Sequence, residues 1–199
     1  MNEFERKKKE KNKKNLIFFK KGNIYIFLID KNNNPIIAIG PHWILYIIFI
    51  SFITLGFLFL FIFYWKFFNS TLIIYGVLVY SIFFIDYTYI FLTDPGIPKI
   101  IEENLILKEK NKYMFCRICN NWVSIESQTR HCSMCNICIE GQDHHCSWTS
   151  KCIGRKNKYY FYFLIIWIGV IIIYYVNSFL ILHGNWLEYK KSEIYLHKN

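Results

Sequence analysis

The residues of this sequence that could perform chemistry are concentrated in one short segment. All seven cysteines lie between Cys116 and Cys152, with three histidines among them. The candidates are Cys116, Cys119, His131, Cys132, Cys135, Cys138, His144, His145, Cys146 and Cys152. Repeated Cys-x2-Cys spacings with nearby histidines are typical of zinc sites, because thiolate sulfur and imidazole nitrogen are ligands that zinc prefers.

The number of candidate ligands exceeds what two zinc sites need. A tetrahedral site takes four ligands, so two Cys3His sites would use six cysteines and two histidines. One cysteine and one histidine would then be left unassigned. A spare thiol beside a spare imidazole is the minimal pair for nucleophilic catalysis. From the spacing alone, this interpretation and a purely structural zinc module with a surplus thiol stay equally open.

The elements around this segment are apolar enough to lie in a membrane. The composition is 54% hydrophobic and 19% charged, which excludes a disordered tail, a coiled coil and an ordinary cytosolic domain. We predict membrane spans at 42–66, 71–93 and 159–183, since about 20 apolar residues of helix cross a bilayer. Asp86 is the ionisable residue well inside a predicted span. The predicted fold is therefore an all-α polytopic membrane protein, with an irregular or β cysteine-rich zinc module at 94–158.

The distribution of positive charge predicts which side of the membrane each segment faces. The net charge is +10, and nine basic residues occur among the first 21 residues of the predicted N-terminal segment, 1–41. The short loop between the first two spans holds a single lysine. The positive-inside rule thus places 1–41 and the zinc module in the cytosol and the tail, 184–199, on the lumenal side. Within the N-terminal segment, Ile24–Ile29 and Ile36–Ile39 predict a short hairpin or an extended approach to the first span.

Cys116–Phe161 resembles the cysteine-rich domain of the DHHC protein S-acyltransferases, also called palmitoyltransferases. That family is named for the quartet seen here as Asp143-His144-His145-Cys146. Further matches to the family pattern are Asp94-Pro95-Gly96, Trp148, Cys152-Ile153-Gly154, Asn157 and Phe161. Ser147 and Lys151 stand where the family usually has proline and asparagine. Three spans are predicted where most members have four, so the resemblance implies a short member that lacks the fourth span.

The resemblance implies two structural zinc ions with interleaved ligands. The first would be held by Cys116, Cys119, His131 and Cys138. The second would be held by Cys132, Cys135, His145 and Cys152. Each Cys3His site would carry a net charge of −1, so we expect zinc to position the neighbouring residues rather than to ionise a nearby thiol.

The resemblance also implies a catalytic group and a reaction. Cys146 would be the nucleophile, His144 its general base and Asp143 the residue that orients the imidazole, with help from nearby basic residues. A long-chain acyl group, such as palmitoyl, would pass from acyl-CoA to Cys146 and then to cysteine thiols of protein substrates. Trp148 is a candidate contact for the acyl chain, or equally an interfacial anchor. The alternative is a catalytically inactive zinc-binding membrane scaffold or pseudoenzyme.

The expected partners follow from this reaction and from the membrane spans. They are acyl-CoA, membrane lipids and protein substrates with membrane-proximal cysteines, with no nucleic acid. A homo- or hetero-oligomer would be one way to complete a bundle of three spans. We expect a multi-pass integral protein of the Golgi, the endoplasmic reticulum or the plasma membrane.

Overall fold

The computed structural model describes residues 16–30, 34–99, 101 and 103–198. They fall into two compact units. The cysteine-rich unit lies within residues 1–46 and 88–161, and the helical unit lies within 47–87 and 162–199. The basic run near the N-terminus of the predicted segment 1–41 lies outside the described residues.

Of the four α-helices in the described residues, three are long and apolar enough to cross a membrane. The helices are α1 (Trp43–Tyr64), α2 (Ser70–Leu92), α3 (Glu103–Lys108) and α4 (Lys158–Lys198). The three apolar segments predicted as spans are therefore helical, in α1, α2 and α4. With 41 residues, α4 continues through the predicted tail. It is about 60 Å long at about 1.5 Å per residue, roughly twice the thickness of a bilayer core.

The strands all belong to the cysteine-rich unit and form antiparallel pairs. One sheet contains β1 (Leu16–Lys21), β2 (Ile24–Ile29) and β3 (Pro35–Ile39), in that order. Three hairpins follow: β4 (Tyr113–Cys116) with β5 (Asn121–Ser124), β6 (Arg130–Cys132) with β7 (Ile137–Ile139), and β8 (His144–Cys146) with β9 (Lys151–Ile153). The pairing of β2 with β3 confirms the hairpin that was predicted before the first span.

The first sheet and the cysteine-rich hairpins share one small core. The buried face of the sheet contributes Ile24, Ile26 and Ala38. The other members are Ile97, Cys132, Cys135, Ile137, Ile139 and Cys152. Alternation along β2 turns its even-numbered isoleucines into this core, because successive side chains of a strand face opposite ways. The sheet thus covers the sulfur-rich side of the second hairpin.

The turn between β1 and β2 touches the turn of the second hairpin at close range. The amide of Asn23 donates to the carbonyl of Cys135 over 2.7 Å. Gly22 has a left-handed φ of +58°, and a Cβ placed there would lie 2.4 Å from the carbonyl oxygen of Asn136. Only glycine satisfies both the backbone conformation and the close approach.

Lys151 joins three elements of the cysteine-rich unit from a fully buried position. Its ammonium donates to the carbonyl of Ala38 over 2.7 Å and also to the carbonyl of Phe91. The same ammonium lies over the Phe91 ring, with its nitrogen 5.7 Å from the ring centroid. Burial lowers the pKa of Lys151 to about 7. The lysine therefore fastens the third hairpin to β3 and to the end of α2.

The helical unit is held together by aromatic and hydroxyl contacts, and its outer surface is apolar. The hydroxyl of Tyr175 donates to the carbonyl of Ile53 over 2.6 Å, and those of Thr54 and Tyr80 lie 2.7 Å apart. Many large apolar side chains stay exposed, including Phe52 at 72%. An apolar surface of this kind is unfavourable in water and suited to lipid.

Asp86 is buried in the helical unit, with 7% of its surface exposed. Its Oδ2 atom has no hydrogen-bond partner in the part of the chain that the structure describes. Carboxylates at membrane depth are costly and are usually paired or functional.

We expect Gly22→Ala to destabilise the cysteine-rich unit by about 1–3 kcal/mol, because the new methyl group requires both a strained φ and displacement of the Asn136 backbone. Thermal unfolding of the detergent-solubilised protein would measure the loss. Gly184→Ala is the matched control, since a Cβ placed at that helical glycine would meet no neighbouring group within 4 Å. Equal effects of the two substitutions would contradict the tight contact at Gly22.

Candidate functional site

The first two hairpins end in turns of the same form. In each, the amide of the second cysteine donates to the sulfur of the first: Cys119 to Cys116 over 3.5 Å, and Cys135 to Cys132 over 3.4 Å. The residue after each second cysteine is an asparagine with a positive φ, 49° and 51° respectively. Asparagine tolerates this left-handed conformation better than most residues. Each turn therefore presents two sulfurs on the same side of its hairpin.

The first cluster combines the turn of one hairpin with the strands of the next. Cys116 and Cys119 come from the β4–β5 turn, whereas His131 and Cys138 are a directly opposed pair on β6 and β7. The Nδ1 atom of His131 lies 3.8, 3.2 and 3.9 Å from the sulfurs of Cys116, Cys119 and Cys138. The sulfurs of Cys119 and Cys138 are 3.6 Å apart. The four atoms could hold a metal ion.

The second cluster repeats this construction one hairpin further along the chain. Cys132 and Cys135 come from the β6–β7 turn, and the opposed pair His145 and Cys152 comes from β8 and β9. The Nδ1 atom of His145 lies 3.5, 3.3 and 3.6 Å from the sulfurs of Cys132, Cys135 and Cys152. The sulfurs of Cys135 and Cys152 are 3.7 Å apart. The structure thus brings together both ligand sets that the resemblance implied.

The spacing within both clusters fits zinc. With Zn–S bonds of about 2.3 Å and Zn–N bonds of about 2.0–2.1 Å, a tetrahedral ion separates its ligands by about 3.5–3.8 Å. The measured separations run from 3.2 to 3.9 Å. Three thiolates and one imidazole are also a donor set that selects zinc over calcium or magnesium.

The crowded thiols resist joint ionisation, which favours a bound cation. Burial, with hydrogen bonds to neighbouring thiols, raises the pKa of Cys138. The hydrogen bond with Cys135 raises the pKa of Cys152, and the same bond lowers the pKa of Cys135 to about 5. One sulfur in each cluster therefore keeps its proton unless a positive ion compensates the negative charge of the other thiolates.

The third hairpin has the form of the first two but lacks the second sulfur. Cys146 pairs across the strands with Lys151, five residues later, as Cys132 pairs with Ile137. Thr149 occupies the place of the second cysteine, is 1% exposed and donates to the carbonyl of Cys146 over 3.2 Å. The following residue again has a positive φ, of 74°. Cys146 is therefore a partly exposed free thiol that belongs to neither cluster.

Strand alternation separates the two adjacent histidines. Successive side chains of β8 face opposite ways, so His145 faces the second cluster while His144 and Cys146 share the other face. The carboxylate of Asp143 lies 3.9 Å from Nδ1 of His144, an ion-pair distance longer than a hydrogen bond. Lys158 approaches the same carboxylate oxygen at 3.6 Å. The structure thus places the nucleophile and base implied by the resemblance on one face.

Phe161, from the first turn of α4, packs its ring against the imidazole of His144. The two ring centroids are 5.1 Å apart and the rings are inclined by 66°. This contact restricts the orientation of the imidazole. The sequence pattern included Phe161 but did not suggest this role.

The Asp94-Pro95-Gly96 motif forms a buried turn after α2. One oxygen of Asp94 accepts from the amides of Gly96 and Ile97 over 3.0 and 2.9 Å, and the other accepts from Lys156 over 2.6 Å. Gly96 has a φ of +111°, a conformation open to glycine. The motif therefore links the end of α2 to the loop that follows β9.

Asn157, which follows the third hairpin, and Trp148, which lies in its turn, have different surroundings. Asn157 is fully buried, accepts from the amide of Gly154 over 2.8 Å and donates to the carbonyl of Cys152 over 3.1 Å. It thereby connects a cluster residue to the start of α4. Trp148 is at the turn between β8 and β9 and is 55% exposed.

Sequence reasoning missed His42, which touches the second cluster. Its Nδ1 atom lies 3.0 Å from Nε2 of His145. The two residues are 103 positions apart in sequence, and no local spacing connects them. By contrast, the repeated hairpins have a signal in the sequence, because a His-Cys pair occurs at His131 and again at His145.

We expect the purified protein to contain two zinc ions and His145→Ala to contain one, because the substitution removes one of four ligands. His144→Ala is the matched control: it changes the adjacent histidine, whose side chain faces away from the cluster, and should retain both ions. Metal analysis by mass spectrometry gives the ratio per chain. Equal zinc loss in the two variants would contradict the assignment of these histidines to different faces.

Comparison with known proteins agrees with the geometry of the hairpins. Residues 109–198 match a family model described as DHHC palmitoyltransferase. The match begins just before β4, includes all three hairpins and ends in α4, and it excludes the β1–β3 sheet. No curated protein matches the chain. The resemblance seen in the sequence is thus confirmed over residues 109–198, which are similar to the DHHC palmitoyltransferase domain.

Proposed function

We propose that this protein is a membrane-embedded protein S-acyltransferase that moves a long-chain acyl group from acyl-CoA to cysteine thiols of other proteins. The observation that carries the proposal is the free thiol of Cys146. Six cysteines form two compact clusters, and the seventh lies on the last hairpin without a cluster. The family match supports acyl transfer as the use of that thiol.

In the proposed reaction, His144 takes the proton of the Cys146 thiol and the thiolate attacks the thioester carbonyl of acyl-CoA. The carbon–sulfur bond to CoA breaks, and the CoA thiolate takes the proton from the imidazolium. A cysteine of the protein substrate then attacks the S-acyl enzyme and restores the Cys146 thiol. One thioester replaces another in each step, so the chain must mainly position the groups and generate a thiolate.

The residues around His144 suit this role. The ring of Phe161 packs against the imidazole, and the carboxylate of Asp143 lies 3.9 Å from its Nδ1 atom. Of the basic residues that could assist ionisation, Lys156 is paired with Asp94, while Lys158 lies near Asp143. These ion pairs leave His144 as the base that is best placed on the face of Cys146.

The clusters act in this proposal as supports for the reactive hairpin. Cys116, Cys119, His131 and Cys138 would hold one zinc, and Cys132, Cys135, His145 and Cys152 the other. When bound, zinc supplies a structural cross-link between hairpins. Since His145 and Cys152 flank Cys146 on β8 and β9, their anchoring limits the movement of the nucleophile.

The proposed setting is a membrane, with the cysteine-rich unit on the cytosolic side. The exposed apolar surface of the helical unit supports insertion in lipid, and the basic residues near the hairpins support the cytosolic side. The fatty chain of the donor then has an apolar environment beside the helices. Suitable acceptors are proteins whose cysteines lie close to the membrane surface, and exposed Trp148 is a candidate contact for the acyl chain.

Incubation of the purified protein with labelled palmitoyl-CoA should give a hydroxylamine-labile label on the chain. Cys146→Ala should abolish the label, because the thioester forms on that sulfur. Ser147→Ala, a change at the neighbouring position, should keep it. Absence of label in the unaltered, zinc-loaded protein would favour the alternative, a zinc-bearing membrane scaffold without turnover.

His144→Ala should slow auto-acylation by about 10²–10⁴-fold at neutral pH while both zinc ions stay bound, since loss of a general base costs rate but no metal ligand. Part of the lost rate should return at higher pH, where thiols ionise without a base. Single-turnover labelling measured from pH 7 to 9 gives the ratio to the unaltered protein. An unchanged rate at pH 7 would exclude His144 as the base.

A further inference from the structure

The two ring nitrogens of His145 face different partners. Nδ1 lies 3.3–3.6 Å from the three sulfurs of the second cluster. Nε2 lies 3.0 Å from Nδ1 of His42. The imidazole therefore bridges the cluster and a histidine that precedes the first apolar helix.

The metal-binding role of one nitrogen determines the proton on the other. A neutral imidazole has one N–H and one lone pair, and a metal ligand must offer the lone pair. If Nδ1 of His145 faces a metal ion, its proton resides on Nε2. That N–H then donates to Nδ1 of His42, which must carry its own proton on Nε2.

His42 is itself held in place by the third hairpin. Its backbone amide donates to the carbonyl of Ser150 over 3.2 Å. Two residues earlier, the amide of Gly40 donates to the hydroxyl of Ser150 over 3.1 Å. Ser150 belongs to the turn that joins β8 to β9, so this hairpin positions both members of the histidine pair. The backbone on both sides of this contact is therefore attached to the same hairpin.

We propose that His42 is a positioning residue for the second zinc site. It acts by accepting a hydrogen bond from the Nε2–H group of His145. The inference rests on the zinc assignment of the proposed function and not on acyl transfer. Metal-bound histidines commonly donate their second N–H to an acceptor that fixes the tautomer and the ring orientation. Loss of such an acceptor typically weakens metal affinity by about 10–100-fold.

The position of His42 gives this contact a second consequence. His42 immediately precedes Trp43, the first residue of α1, and it lies outside the segment that matches the family model. His145 immediately precedes Cys146 on β8. One hydrogen bond thus connects the entry to the first apolar helix with the strand that carries the reactive thiol.

Two substitutions separate hydrogen bonding from packing, because the rings of His42 and His145 also meet edge to face, with centroids 5.0 Å apart. His42→Asn keeps an acceptor, since its Oδ1 takes the place of Nδ1, but loses the ring. His42→Phe keeps a ring of similar size but loses the acceptor. If His42 acts as an acceptor, only the phenylalanine variant should weaken the second site.

The full-length, zinc-loaded protein is treated with a chelator, and each cysteine is alkylated as its zinc is released. Mass spectrometry of the peptides then gives a rate for every thiol. In His42→Phe, Cys132, Cys135 and Cys152 should be alkylated about 10–100-fold faster than in the unaltered protein. The cysteines of the first cluster serve as the internal control and should keep their rates. His42→Asn should keep all rates close to those of the unaltered protein.

Several outcomes of the alkylation experiment would overturn the proposal. Unchanged rates in His42→Phe would show that the contact does not support the metal. Faster alkylation in His42→Asn but not in His42→Phe would assign the effect to ring packing, and equal acceleration of both clusters would indicate general unfolding. Fewer than two zinc ions in the unaltered protein would contradict the zinc assignment itself, whereas loss of labelling by palmitoyl-CoA alone would leave the inference about His42 standing.

Discussion

The cysteine-rich unit depends on one constraint, which is that each cluster takes half of its ligands from one hairpin and half from the next. The turn of a hairpin supplies two cysteines, and an opposed histidine–cysteine pair on the following hairpin supplies the rest. Strands of three or four residues have few hydrogen bonds and little core of their own. A metal ion at each junction would therefore contribute much of the free energy that holds the hairpins together.

The same constraint explains why one thiol is left over. The third hairpin repeats the turn, but Thr149 replaces the second cysteine and no fourth hairpin follows, because the chain enters α4. The first hairpin begins the series and has no cysteine-rich hairpin before it. Its opposed pair is Phe115 and Trp122, at the positions where the later hairpins have a histidine and a cysteine. Cys146 thus has the same position in its hairpin as the metal-ligand candidates Cys116 and Cys132. It lacks the second cysteine and the histidine–cysteine pair that would complete a metal site.

The ends of the apolar helices contact one another and the third hairpin within the cysteine-rich unit. The hydroxyls of Tyr46 and Thr88 lie 2.9 Å apart, and the rings of Tyr89 and Tyr160 approach to 4.5 Å. Lys151 adds a buried ammonium between β3 and the end of α2. Buried polar groups need such partners, since an unsatisfied carbonyl or ammonium costs several kcal/mol. Cys146 is therefore carried on a hairpin with little freedom to move.

Local patterns in the chain were enough to predict the three apolar helices, because length and hydropathy are properties of contiguous residues. The spacing of cysteines and histidines, with the family resemblance, was enough to group the ligands into two sets. Neither could predict that the β1–β3 sheet covers the second cluster, that Lys151 is buried against Ala38, or that His42 meets His145. These contacts join residues more than 100 positions apart, and they exist only because folding packs the first sheet and the residues after it against the second and third hairpins. Residue types and their order thus set which groups are available for chemistry and how the ligands divide into two sets, whereas the packing of distant segments decided which nitrogen of His145 faces the sulfurs and which histidine lies at the other nitrogen.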